Sequence, residues 1–170
     1  MYENFKYLNA VAQKEITNGV FSGSVLSVIH KGEIVYLKSF GLADKEKNIP
    51  MKTDSIFRLF SMSKPVTAAA AMILIERGLL DTRHPLKWFI PEFSDPVVLD
   101  ENGEHPADRD ITIGDLLTMT SGIPYPDGTP AGQKMGALWG GQSEKYLKGE
   151  KLLDTVSFAK EMGKRPLMFT

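Results

Sequence analysis

At 170 residues, with 42% hydrophobic and 24% charged side chains, the chain carries enough apolar content for one globular core, and its composition argues against disorder. A formal net charge of -1 with scattered lysines leaves no basic stripe to neutralise phosphates, which argues against nucleic-acid binding. There is no cysteine, so disulfides, thiolate catalysis and Cys-ligated zinc are excluded and any catalysis falls to oxygen or nitrogen nucleophiles.

In chain order, residues 2–18 place Phe5, Leu8, Ala12 and Ile16 on one face of an amphipathic helix that Asn18-Gly19 should end. Residues 24–29 and 34–40 are rich in strand formers, and Lys31-Gly32 between them reads as the turn of a β-hairpin. The mostly polar residues 44–54, with Pro50, read as a connecting loop. Residues 55–60 form a short extended segment. Pro65 is tolerated only in a helix's first turn, and the apolar run after it predicts a helix to about Arg77 with Gly78 as its stop. Thr112 and Asp115 have the spacing of a capping box for a short helix over 113–119. Residues 121–150 hold many Gly and Pro and few periodic apolar positions, which predicts a long loop. A last amphipathic helix over 155–162 precedes Gly163. Trp88 and Trp139 read as structural, and His30, His84 and His105 have no metal-site or Ser-His-Asp spacing.

The stretch Ser61-Met62-Ser63-Lys64, directly before the long apolar helix, pairs a nucleophile with a base. Positions three apart share a helix face, so hydroxyl and amine can meet within one turn. A serine at a helix start also faces unpaired backbone N–H groups and a positive dipole end, which favour an oxyanion beside it. That combination suits acyl transfer. Spacing alone is weak, because Ser followed three residues later by Lys is expected on the order of once by chance in a chain this long. Ser157 and Lys160 repeat the pattern inside a predicted helix whose amides are already committed. A serine hydroxyl needs a neighbouring base. A lysine amine at its ordinary pKa is neutral in only about 0.04% of molecules at pH 7, a deficit of about 4.6 kcal/mol. Burial and positive potential must offset most of that deficit. Without further context, a charged, solvated Lys64 at a helix start is the plainer reading.

The context is supplied by three blocks. Residues 56–81 (IFRLFSMSKPVTAAAAMILIERGLLD) resemble the region around the active serine of the serine beta-lactamase and penicillin-binding-protein superfamily, with the class C branch and its related esterases closest. Residues 85–93 (PLKWFIPEF) and 111–124 (ITIGDLLTMTSGIP) resemble that family's following segments in the same order, the second carrying its Leu-Leu-Thr-x-Thr-Ser-Gly signature. The likeness runs from about Gly23 to the last residue and is thin across 95–110 and 127–150. It implies an α+β fold of the beta-lactamase/transpeptidase type, with an N-terminal helix and sheet hairpin in 1–60 and a helical region in 61–170. It further implies Ser61 as the acylated nucleophile, Lys64 as its partner in proton transfer, Tyr125 bordering the substrate cleft, and no cofactor. Tyr125 reads equally well as an aromatic anchor of a Pro-rich loop.

The family's Tyr-x-Asn element and Lys-Thr-Gly strand motif lie downstream of the segment resembling residues 165–170. Tyr2-Glu3-Asn4 and Tyr7-Leu8-Asn9 match the first literally but precede the nucleophile on a predicted helix, and Lys134-Met135-Gly136 imitates the second in a predicted loop. All three read as coincidences. The expectation is therefore an incomplete domain over 1–170, an N-terminal part that needs its missing C-terminal half or a partner chain to cover the hairpin edge. The expected function is a serine hydrolase acting through an acyl-serine on a small ester or amide, esterase-like by preference, with this chain alone inactive. A beta-lactamase or D-Ala-D-Ala carboxypeptidase is one alternative, and a non-catalytic binding module or an inactive truncated product is another. No Gly-x-Ser-x-Gly elbow occurs, no secretory signal is visible, and no window approaches the roughly 18 apolar residues of a membrane span. A soluble, cytoplasmic protein with no nucleic-acid or membrane partner is expected.

Overall fold

The computed structural model describes residues 5–170, and the chain divides into two compact units, one up to Phe60 and one from Ser61 to Thr170. Tyr2-Glu3-Asn4, the first of the literal Tyr-x-Asn matches, falls outside the described residues.

In the first unit, helix α1 (Lys6–Thr17) precedes strands β1 (Gly23–His30), β2 (Glu33–Asp44) and β3 (Ile49–Pro50). The strands form an antiparallel sheet in the order β1-β2-β3. Tyr7-Leu8-Asn9 lies on α1, where Ala12 is buried and Phe5, Leu8 and Ile16 are half-buried on the anticipated face. Asn9 ties the helix to the sheet, because its Oδ1 accepts a 2.6 Å hydrogen bond from the Tyr36 hydroxyl, and the Phe5 and Tyr36 rings lie 4.8 Å apart. The β1–β2 turn has positive φ at both Lys31 (51°) and Gly32 (82°), the geometry that matches the right-handed twist of a two-residue hairpin. Tyr36 and Phe40, four apart and so on one sheet face, are the buried residues of β2. The register slips between Val28 and Ile29, which lets two residues of β2 oppose one of β1. β3 lies inside the segment expected to be loop and adds a two-residue edge to β2.

The second unit contains helices α2 (Ser63–Glu76), α3 (Ile113–Leu117), α4 (Pro130–Leu147) and α5 (Thr155–Gly163), and the antiparallel pair β4 (Val97–Asp100) and β5 (Gly103–Pro106). Its core is Leu86, Phe93, Val98, Ile111 and Leu167, with Ile113, Leu116, Ile123 and Met162 packed around it. Backbone bonds bring its distant segments together: Leu86 N donates to Ile111 O at 2.7 Å, Leu167 N to Val97 O at 2.7 Å, and Leu99 N to Leu167 O at 3.0 Å. Residue 167 thus runs beside β4 as a parallel bridge.

One expectation fails here, and one strand pair lies where no element was expected. Residues 130–147 are an 18-residue helix rather than part of a long loop, so Lys134-Met135-Gly136 is helical. Thr129 caps it, its Oγ1 accepting from Gly132 N at 3.1 Å, and Pro130 sits in the first turn, where a missing N–H costs nothing. Ala131, Met135 and Leu138, spaced four and three apart, are buried and outweigh the low helix propensity of the glycines. The β4–β5 pair is the second difference, in the region where resemblance was thin. The remaining helices fall close to their expected bounds. Among the described residues no helix is long and apolar enough to cross a membrane.

Candidate active site

Ser61 sits in a 3-10 turn (Phe60–Met62) that leads directly into α2, and Phe60 before it has a φ of 46°. Lys64 occupies the first turn of α2 beside Pro65. The three-residue offset brings the side chains together: Lys64 Nζ donates to Ser61 Oγ at 2.9 Å. For Ser61 to attack a carbonyl that hydrogen bond must reverse, with a neutral amine accepting the hydroxyl proton. Both residues are exposed, and none of the fourteen residues of α2 is buried although the helix is apolar on all sides. A helix of that composition is stable in water only when other elements cover it.

The second Ser-x-x-Lys stretch behaves differently. Ser157 lies in α5, where its N–H donates to the capping carboxylate of Asp154 at 2.7 Å, and Lys160 pairs with Glu92 at 3.5 Å. Identical spacing thus yields a side-chain pair at the mouth of α2 and a helix surface in α5.

The Leu-Leu-Thr-x-Thr-Ser-Gly segment ends α3 and is held from several directions. Asp115 completes a capping box with Thr112: Thr112 N donates to Asp115 Oδ2 at 2.8 Å, and Asp115 N donates to Thr112 Oγ1 at 3.2 Å. Arg109 adds a fork, Nη1 to Oδ2 at 2.6 Å and Nη2 to Oδ1 at 2.9 Å. The Arg109 guanidinium, with the Thr112 N–H and hydroxyl, holds the Asp115 carboxyl well below the usual carboxylate range. Thr120 N then donates to Asp115 O at 2.8 Å, closing the turn. Within it Met119 takes a φ of 62°, and Gly122 one of 72°. A Cβ at Gly122 would collide with the Phe169 carbonyl, because residues 168–169 pass against it and Met168 N donates to Gly122 O at 2.8 Å. Glycine is demanded there by backbone close approach.

Tyr125, 60% exposed, stands at an apolar cavity of about 450 Å3. Sequence reasoning missed other residues of that cavity, notably Trp139 on α4, Met119, and Met162 on α5. The Thr129-Pro130 cap signal was available and would have exposed α4, and with it Trp139, which packs edge-on against Phe158 at 5.4 Å. Trp88, 65% exposed, packs near His84 at 5.2 Å. Among the described residues no group of three or more His, Asp or Glu is placed to hold a metal ion.

A family model for beta-lactamase matches residues 8–159. The chain is 40% identical over 118 residues to esterase EstB of Burkholderia gladioli, a match covering 69% of this chain and 29% of the esterase. It is 36% identical over 104 residues to penicillin-binding protein 4* of Bacillus subtilis, covering 61% of this chain and 20% of that protein. A solved structure of EstCE1, a hydrolase with promiscuous acyltransferase activity, superposes with a TM-score of 0.73 at 27% identity, covering 96% of this chain and 40% of that one. The match therefore spans less than a third of either curated relative.

Proposed function

The chain belongs to the beta-lactamase family, and on that premise we propose that it supplies the nucleophile of a serine hydrolase that forms an acyl-serine at Ser61 from a small ester or amide. The 2.9 Å contact between Lys64 Nζ and Ser61 Oγ at the start of α2 carries this reading. Lys64 in its neutral form takes the hydroxyl proton as Ser61 Oγ attacks the carbonyl carbon, and that proton then passes to the departing alcohol or amine. Water afterwards cleaves the acyl-serine bond. Esterase chemistry is the preferred member of this set, supported by the likeness to EstB and EstCE1. No cofactor enters the scheme.

The exposure of α2 shapes the rest of the proposal. Lys64 needs burial or neighbouring positive potential to act as a base, and the uncovered apolar side chains of α2 need a partner surface. Further sheet and motif residues, from the same protein or a partner chain, supply both. The 170 residues by themselves hold the nucleophile without completing a turnover. A second reading, a binding module that keeps the scaffold without chemistry, draws on the solvent exposure of Ser61 and Lys64.

The test is covalent labelling with a fluorophosphonate and, separately, a fluorescent penicillin, applied to the chain alone and to the longest form of the protein that can be expressed. Mass spectrometry then locates the adduct. Label on Ser61 that disappears in Ser61→Ala supports the hydrolase, and label by the penicillin in preference to the fluorophosphonate moves the reading to the beta-lactamase and peptidase side. No label in any form leaves the binding module, and label on Ser157 refutes the site.

A further inference from the structure

The β4–β5 hairpin gathers a cluster of polar groups that the acyl-serine chemistry does not use. Val98 pairs with His105 and Asp100 with Gly103 across the two strands, so Asp100 and His105 are diagonal neighbours on one face. His105 Nε2 lies 3.4 Å from Asp100 Oδ2, and Nδ1 lies 3.1 Å from the Pro106 carbonyl oxygen. Both ring nitrogens thus face an acceptor. Asp100 is also held by the turn between the strands, where Asn102 N donates to Oδ1 at 2.7 Å and Asn102 Nδ2 to Oδ2 at 3.5 Å.

A neutral imidazole carries one N–H, so it satisfies only one of two acceptors and turns a lone pair toward the other. The imidazolium donates to both, and one of its partners is a carboxylate. Asp100 is an anion throughout the neutral range, because the Asn102 N–H above all, and then His105, hold its carboxyl below the usual range. The charged groups that face the ring are Asp100 on β4 and Asp108 beyond β5, both acidic. The Pro106 carbonyl, followed by the Asp100 carboxylate, raises the imidazole above its ordinary value. Solvent screens the pair, since 47% of the His105 side chain is exposed, and that keeps the effect to a small factor.

A distant segment is tied to the same hairpin. Leu167 N donates to Val97 O at 2.7 Å and Leu99 N to Leu167 O at 3.0 Å, while Met168 N donates to Gly122 O at 2.8 Å in the Thr-Ser-Gly turn. We infer that protonated His105 is a pH-sensitive clasp, which draws β4 and β5 together in mildly acid solution, releases them as the pH rises, and passes the change to the strap of residues 167–168. The clasp is independent of the acyl-serine reading, because none of its groups takes part in that chemistry.

The direction follows from proton linkage. A group that binds its proton more tightly in the folded chain contributes fully below its unfolded value, about 6.5 for histidine, and loses that contribution as the pH rises through the folded value. The clasp is therefore closed at about pH 5.5 and released toward about pH 8. The hairpin cannot loosen by more than the ratio of the folded and unfolded proton affinities.

In the longest form of the protein that can be expressed, the His105 ring is titrated by NMR from about pH 5 to about pH 9, folded and unfolded in urea. The folded midpoint should be the higher, and Asp100→Asn should move it back toward the urea value. Amide exchange, corrected for its intrinsic pH dependence, then reads the hairpin. The Ala107 amide, which donates to Pro96 O at 2.9 Å at the hairpin's open end, should lose protection by about twofold between about pH 5.5 and about pH 8, and the Leu99 amide should follow. In His105→Gln, which is neutral at every pH, neither should change over that range. His84, the other imidazole of the second unit, is present in both chains, so the difference between them belongs to His105. A folded midpoint at or below the urea value overturns the clasp, as does the same pH course in both chains. Should His105→Gln fail to fold, Asp100→Asn decides, and a midpoint unmoved by that substitution overturns the clasp as well. A response at Ala107 with none at Leu99 overturns the link to the strap.

Discussion

The start of α2 and the turn after α3 both belong to the second unit and both carry family motifs, yet they are built in opposite ways. Ser61 and Lys64 are joined by one hydrogen bond on an exposed helix with no buried residue. The turn is tied by the Thr112–Asp115 box, the Arg109 fork and the Thr120 and Met168 backbone bonds, all next to the buried Ile111 and Leu167. The Ser61–Lys64 contact therefore needs only three-residue spacing at a helix start, whereas a shaped wall requires several segments to converge. The difference also says where each region is vulnerable. The pair should lose chemistry without losing fold, and the turn should lose fold first.

Lys64→Ala gives the largest expected effect. Fluorophosphonate labelling of Ser61 should slow by about 10²- to 10⁴-fold, the range for loss of a positioned base, with the circular dichroism spectrum unchanged. Slowing under threefold would remove Lys64 from the chemistry and break the comparison on its reactive side. Leu167→Ala comes next. It removes a side chain 2% exposed from the core of the second unit and should cost about 2–5 kcal/mol in urea unfolding followed by tryptophan fluorescence. A cost below about 1 kcal/mol would mean that this core is not what holds the turn.

The smallest expected effect is on pH dependence. The Asp115 carboxyl is held below its ordinary range in the folded chain. The stability it contributes is complete above the unfolded carboxylate value of about 3.9 and is lost as pH falls below that toward the folded value. Asp115→Asn should therefore be less stable at pH 7, by about 1–2 kcal/mol for the lost cap and charged bonds. Its disadvantage should shrink as the pH is lowered toward about 2 in parallel urea titrations. A difference constant with pH would show that the Arg109 fork adds nothing beyond neutral hydrogen bonding.

Much of this could be read along the chain, and the reasons are local. The β1–β2 turn needs two positive φ angles, which Lys31-Gly32 supplies. Thr112 and Asp115 cap α3 through contacts three residues apart, and Ser61 meets Lys64 within one turn. α4 was hidden because Gly132, Gly136, Gly140 and Gly141 lower helix propensity, a loss that the Thr129 cap and the packing of Ala131, Met135 and Leu138 make up. β4 pairs with β5 across the two-residue turn Glu101-Asn102, and only its contact with residue 167 is remote, Val97 and Leu167 lying seventy positions apart in sequence.

Sequence by itself determined the family blocks, and it determined the starts of α3 and α5 and the reach of the Lys64 amine to the Ser61 hydroxyl because those depend on side chains within one turn of one another. Tertiary structure alone decided that Trp139, Met119, Met162 and Met168 share one cavity with Tyr125, and that Gly122 must lack a side chain. Those facts depend on where separate segments come to rest, which burial of the Leu86, Phe93, Val98, Ile111 and Leu167 cluster fixes.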